Sequence, residues 1–323
     1  GADQLELSLP MLDALSSKSD CRTESGIDCR NYGFLDGLPE VRKLLADMLG
    51  VEQDEIIVGG NSSLNMMYDC MTRALLSGVY GSDKPWCKEP EIKFLCPVPG
   101  YDRHFAITQH FGIRMVNVDM TPEGPDMDQV EELVKDPAVK GIWCVPKYSN
   151  PTGVTYSDRV VRRFAGLRPA ARDFRIFWDN AYTIHDLYEE GDQLLDLFSL
   201  LKEEGKEDMI FIFGSTSKIS FAGAGLAAVA PDGALLRHLR LEGDTLTAGD
   251  RRYDLRRRVV VLGAGKGAAP MAVALENLLG ERISEGLVVV KYGHGLPLRR
   301  IRLAEAAHPV PDASGAAATK TLL

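Results

Sequence analysis

The sequence predicts an α/β fold, a three-layer sandwich around a mostly parallel sheet, followed by a second, smaller α/β segment. Segments with helical periodicity alternate with short apolar runs through the first 230 residues, the pattern of a parallel sheet covered by helices. The composition then changes abruptly: all 11 Phe, all 3 Trp and all 6 Cys lie at or before Phe221. After Ala230 there are 14 Lys+Arg against 10 Asp+Glu, whereas residues 1–230 hold 23 against 36. At about 150 residues per domain, a chain of 323 residues accommodates two domains, placed at 1–230 and 231–323.

In chain order, "LPEVRKLLADML" (38–49) has helical spacing, and "EIIVGG" (55–60) is a short strand ending in glycines. Hydroxyl residues suited to capping open a second helix at "SSLNMMYDCMTRALL" (62–76). Further strands are predicted at "EIKFLCP" (91–97), "IRMVNVD" (113–119), "VKGIWCVP" (139–146), "FRIFWDN" (174–180) and "DMIFIFG" (208–214). Beyond the break, "DLRRRVVVLGAGKGAAPMAVALENLLG" (254–280) predicts a strand, a glycine turn and a helix, and 281–315 adds two strands around a glycine loop. The glycines at 263, 265 and 267 do not match the spacing of a phosphate-binding P-loop, and no ribose-binding acid follows them.

The bulk properties narrow the function classes. A net charge of −9 argues against nucleic acid as the main partner. No stretch reaches the roughly 18 consecutive apolar residues of a membrane helix, and the first thirty residues carry acids throughout, unlike a signal peptide. A cytoplasmic location is expected. The six cysteines are irregularly spaced with no C-x-x-C pair, so reduced thiols are expected rather than disulfides or a metal site.

In a parallel sheet, ligands bind beyond the carboxyl ends of the strands. Each of those ends carries candidate residues with an ordinary alternative role. Asn61, Ser62 and Ser63 can hold a phosphate or simply cap a helix; Tyr101, in the Pro/Gly turn of "CPVPGYDRHF", can stack on a ring or pack. Asn150 in "YSNPTG" is a candidate donor or a turn residue. Asp179 and Tyr182 in "WDNAY" follow an apolar strand, where a carboxylate needs a positive partner unless it caps a helix. Ser215, Ser217 and Lys218 end "FIFGSTSK", where the lysine is either a solvated charge or a reactive amine. Together they supply what pyridoxal phosphate requires: phosphate donors, a ring-stacking aromatic, an acid for the pyridine nitrogen, donors to the phenolic oxygen and a lysine for a Schiff base.

"NYGFLDGLPEVRKLLADMLG", "VGGNSSLNMMYD", "CPVPGYDRHF", "YSNPTG", "WDNAY" and "GSTSKISFAGAGLA" make the chain resemble the fold-type I pyridoxal phosphate-dependent aminotransferases, within the class I-like aspartate aminotransferase family, over about 4–229. The resemblance implies a Schiff base at Lys218, which also shuttles the proton. It gives Asp179 to the pyridinium nitrogen, Tyr182 and Asn150 to the phenolic oxygen, and Tyr101 to ring stacking. Ser62, Ser63, Ser215 and Asn61 would hold the phosphate, with Ser217 behind them. A buried lysine of this kind has a depressed pKa that suits it to act as a base near neutrality. Tyr32 matches a tyrosine that reaches the neighbouring subunit's phosphate, so the resemblance implies a homodimer, with amino acid and 2-oxo acid substrates of the aspartate/2-oxoglutarate type.

The sequence departs from that family at three points. Leu226 stands where many members carry a phosphate-binding arginine. The segment before "LSLPML" is short or missing, and nothing after Ala230 resembles the small domain that grips the substrate carboxylate. Instead "LRLEGDTL", "GAGKGAAPMA", "VVVKYGHGLP" and "AAHPVPDASG" resemble the N-terminal part of the type 2 glycerate kinase family, over about 231–323. That resemblance puts Lys266 at an active site with phosphate or glycerate, and His294 and His308 in its loops. The leading expectation is transamination through Lys218, crippled if the small domain is missing. The alternatives are ATP-dependent glycerate kinase activity of the C-terminal segment, or an inactive chimeric or truncated fusion product that exposes apolar surface.

Overall fold

The computed structural model describes residues 21–29, 36–186, 189–219, 225–230, 239–248, 251–265, 268–307 and 312–322. Two compact units divide the chain: among the described residues, 21–27 and 36–230 form the first, and 28–29 and 239–322 the second.

In the first unit the chain runs α1 (Pro39–Leu49), β1 (Ile57–Val58), α2 (Ser63–Ser77), β2 (Lys93–Val98), α3 (Asp102–His110), β3 (Arg114–Thr121), β4 (Gly124–Pro125), α4 (Met127–Leu133), β5 (Val139–Cys144), α5 (Asp158–Gly166), β6 (Arg175–Asp179), α6 (Leu197–Glu203), β7 (Ile210–Ser215) and β8 (Ala227–Ala230). The helix ends follow local chemistry. Pro39 opens α1, and Gly50, at φ 71°, closes it in the left-handed region. The side chains of Ser62, Asp126, Ser157 and Asp196 cap the backbone N–H groups of α2, α4, α5 and α6.

Eight strands form one sheet in the order β1-β8-β7-β6-β5-β2-β3-β4. The run from β7 through β6, β5 and β2 to β3 is parallel, and β4 and β8 are antiparallel to their neighbours. Alternation along the strands shows why both faces are covered. Leu95, Ile142, Ile176, Trp178, Ile210 and Ile212 enter one core with α1, α4, α5 and α6. Phe94, Trp143, Phe177, Phe211 and Phe213 enter the other with α2. Successive strand residues point to opposite faces, so a strand apolar at every position needs helices on both sides. The predicted three-layer α/β sandwich is therefore present.

Two segments were not anticipated. Tyr101 follows the Pro/Gly turn as expected and stands at the N-cap of α3, a nine-residue helix for which the sequence raised no expectation. β8, "AAVA", is an antiparallel strand whose small residues lie between β1 and β7; four short residues carry too little pattern to be read as a strand.

The second unit holds a hairpin sheet, β9 (Leu239–Glu242), β10 (Thr245–Ala248) and β11 (Arg251–Asp254), and a parallel sheet, β12 (Val259–Ala264), β13 (Ile283–Lys291) and β14 (Ile301–Ala306). Helices α7 (Ala268–Leu279) and α8 (Ala313–Leu322) accompany the latter. Gly243, at φ 56°, lies in the two-residue turn between the paired Glu242 and Thr245, where a side chain is disfavoured. The buried Glu276 of α7 accepts backbone N–H bonds from Arg299, Arg300 and Ile301 at 2.6–3.0 Å, which ties α7 to the entry of β14.

Candidate functional site

Sheet topology brings distant segments to one place. The chain leaves β2 for β3 on one side and returns as β5 on the other, so the order reverses at β2 and β5, the position where open parallel sheets bind ligands. Tyr101 follows β2, Val145 and Asn150 follow β5, Asp179 ends β6, and Ser215 ends β7. β1 and β7 both run antiparallel to β8, so the loop after β1 opens on the same edge. Hydrogen bonds fix that loop: Ser217 Oγ donates to the Asn61 carbonyl at 3.0 Å, and the Ala227 N–H donates to the Gly60 carbonyl at 2.8 Å.

These segments enclose a cleft of about 250 Å³. Asn61, Ser62, Ser63, Tyr101, Asn150, Asp179, Tyr182, Ser215 and Lys218 all line it, together with Leu64, Val145, Ala181 and Ser217. Tyr32, Lys266 and His308 lie outside the described residues. His294 is described and lies in the second unit, in the loop after β13.

Asp179 is 5% exposed. Its Oδ2 shares a 2.9 Å hydrogen bond with His104 Nε2, while its buried Oδ1 has no hydrogen-bond partner among the described residues. His104 was not among the residues nominated from the sequence, because it lies within α3 rather than at a strand end. Its ring stacks on Trp143 with centroids 4.6 Å apart, and Tyr101 meets it edge-on at 5.1 Å. Trp143 Nε1 donates to Thr108 Oγ1 at 2.8 Å, so the support behind the carboxylate is packed and hydrogen-bonded throughout. The spacing of Tyr101 and His104, three apart at a helix start, was the available signal.

Tyr182 is half-buried; burial first, and then the negative charge of Asp179, push its phenol above the ordinary value of 10. Lys218 departs from expectation. It is exposed rather than buried, because β7 ends at Ser215 and a single 3-10 turn, Thr216–Lys218, carries the lysine past the strand end. Its Nζ lies 5.7 Å from the centroid of the Tyr182 ring.

Ser62 fills both roles considered for it: its hydroxyl accepts the Asn65 N–H at 3.4 Å as the cap of α2, and it lines the cleft. Leu226 bonds Thr216 through its backbone, with its N–H donating to Thr216 Oγ1 at 2.9 Å. The hydroxyl and amide groups of this corner are therefore neutral donors beside the start of a fifteen-residue helix. The cleft offers one buried acid, one amine, a phenol, an aromatic face and a set of neutral anion donors.

The chain matches the aspartate amino-transferase family over residues 1–284, a span that runs past the compositional break near Ala230. It is 46% identical to an aspartate aminotransferase of Corynebacterium glutamicum over 226 residues, 70% of this chain and 52% of that protein. A solved aspartate transaminase from the same species superposes with a TM-score of 0.65 at 47% identity, covering 68% of this chain and 51% of that one. The chain thus spans about half the length of these relatives. A glycerate 2-kinase of Pyrococcus horikoshii is 33% identical over 94 residues, 29% of this chain and 21% of that protein.

Proposed function

The chain belongs to the aspartate amino-transferase family, and on that premise we propose that its cleft holds pyridoxal 5'-phosphate and transfers an amino group from an amino acid to a 2-oxo acid. The observation that carries this reading is the buried, unpartnered Oδ1 of Asp179 in a cleft that also presents Lys218 and the hydroxyls at the start of α2. A buried carboxylate oxygen without a donor is costly, and the protonated ring nitrogen of the cofactor is a donor of matching charge. The residues present fit the cofactor on each side.

When bound, the cofactor supplies an electron sink for the pair left on the substrate's Cα when its proton departs. The chain's own groups do the rest. Asp179, backed by His104, would keep a proton on the ring nitrogen. Tyr182 and Asn150 would donate to the phenolic oxygen, and Tyr101 would stack on the ring. Ser62, Ser63, Ser215 and Asn61 hold the phosphate with neutral donors and the N-terminus of α2, since Leu226 replaces an arginine there. Lys218 would supply the amine that attaches the cofactor, and once released its Nζ would take the proton from the substrate's Cα. The name of the Corynebacterium relative, an aspartate aminotransferase, supports aspartate as the amino donor, and the family resemblance supports 2-oxoglutarate as the acceptor. The family resemblance supports a homodimer, with Tyr32 assigned to the other subunit's phosphate.

The test is to add pyridoxal phosphate to the purified protein and record its absorbance. A band that Lys218→Ala abolishes is expected; a wild-type protein without one would sink the reading. A second reading rests on the 94-residue similarity to a glycerate 2-kinase: residues 231–323 would form a glycerate kinase-like fragment fused to the aminotransferase core. ATP-dependent phosphorylation of glycerate, lost in Lys266→Ala, would carry kinase activity for it.

A further inference from the structure

We propose that Lys147 is a positioning residue, which through its ion pair with Asp186 locks the cleft wall carrying Asn150 to the wall carrying Tyr182. The inference rests on the reading of the cleft given above. Lys147 lies between Val145 and Asn150, two residues of the lining, and is 6% exposed. Its Nζ donates to Asp186 Oδ1 at 2.7 Å and to the Thr183 carbonyl at 3.4 Å. Both acceptors belong to the segment that follows β6, and Thr183 is the neighbour of Tyr182. Thr183 Oγ1 in turn donates to the Met48 carbonyl at 3.2 Å, which anchors that segment to α1.

Two further features hold the same junction. Tyr148, adjacent to Lys147 and at φ 48° in the left-handed region, accepts the Asp192 N–H on its hydroxyl at 3.1 Å. Gly191 sits against the Asp186 carboxylate so closely that a Cβ there would collide with Oδ1. The junction is thus built around this carboxylate from two directions.

Its placement distinguishes it from core packing. Lys147 lies three residues beyond the end of β5. A buried ammonium costs desolvation free energy that an apolar side chain avoids, but its directional bonds fix the spacing of the two walls. Asn150 and Tyr182 are the groups assigned to the cofactor's phenolic oxygen, so that spacing governs how both donate to one atom.

The experiment compares wild type, Lys147→Met, Lys147→Arg and Asp186→Asn. Three quantities are read: the melting temperature without cofactor, the affinity for pyridoxal phosphate by quenching of intrinsic fluorescence, and the ratio of the two near-ultraviolet and visible bands of the loaded protein at fixed pH. That ratio reports hydrogen bonding at the phenolic oxygen, which a stability defect alone does not move. Lys147→Met and Asp186→Asn are expected to bind about tenfold more weakly and to shift the band ratio in the same direction, while Lys147→Arg restores both. A wild-type ratio and affinity in Lys147→Met would overturn the assignment, whatever its melting temperature. If Lys147→Met does not fold, the ratio in Asp186→Asn decides. Wild-type protein without a band would instead remove the cofactor reading, and the inference with it.

Discussion

Replacing Asp179 with Asn separates stability from function, because the structure predicts opposite signs for the two. The carboxylate is 5% exposed and receives one hydrogen bond, at 2.9 Å from His104, while Oδ1 has no partner among the described residues. A buried polar group left unsatisfied costs about 1–3 kcal/mol. Asparagine has the same shape, keeps a polar atom for His104 and removes the buried charge. The cofactor-free Asp179→Asn protein is therefore expected to match the wild type or exceed it by up to about 2 kcal/mol, a rise in melting temperature of up to about 8 °C for a unit of this size. Cofactor binding moves the other way: losing a hydrogen bond between charged groups, worth about 1.5–3 kcal/mol, weakens binding about 10- to 150-fold. Thermal denaturation without cofactor and a fluorescence titration with it measure the two quantities on one preparation. A variant that is destabilised by more than about 1 kcal/mol yet binds the cofactor normally would make Asp179 a structural acid and refute the reasoning.

Three other outcomes are expected. Asp173 is buried and bonds Lys140 Nζ at 2.7 Å, Trp86 Nε1 at 2.8 Å and Ser82 Oγ at 2.9 Å; Asp173→Ala leaves the buried Lys140 ammonium with its longer 3.5 Å contact to Glu89 and should cost about 3 kcal/mol in urea unfolding. Burial holds the phenols of Tyr156 and Tyr182 above their ordinary value of 10. Their contribution is complete below pH 10 and is lost as pH rises through the folded-state values, so stability should fall in that alkaline range, and less steeply in Tyr156→Phe. Cys29 and Cys87 are exposed whereas Cys70, Cys96 and Cys144 are buried, with burial pushing the Cys96 thiol up to about 12. A chromogenic disulfide reagent at about pH 8 should label the exposed pair quickly and reach the three buried thiols only on unfolding.

Much of the first unit was legible because its signals are local. Phe94, Phe177, Phe211 and Phe213 sit in apolar runs bounded by punctuation, and such runs become strands wherever helices can cover them. Among the described residues, no helix is long and apolar enough to cross a membrane. Tyr101 and Lys218 show where local signals stop. The first follows its Pro/Gly turn but also caps a helix that the punctuation does not announce, and the second was expected to be buried but is carried past the strand end by one turn.

Local patterns name the side chains that stand at the carboxyl ends of the strands, and the parallel-sheet rule nominates them together. How they are held depends on packing across the sheet. His104 and Asp179 are 75 residues apart in the chain, and Lys147 and Asp186 are 39 apart. Such pairs meet because the strand order β6-β5-β2 sets those segments side by side. Strand-end identity is written one residue at a time, but the partner of a buried charge depends on the register of strands between, which no local pattern encodes.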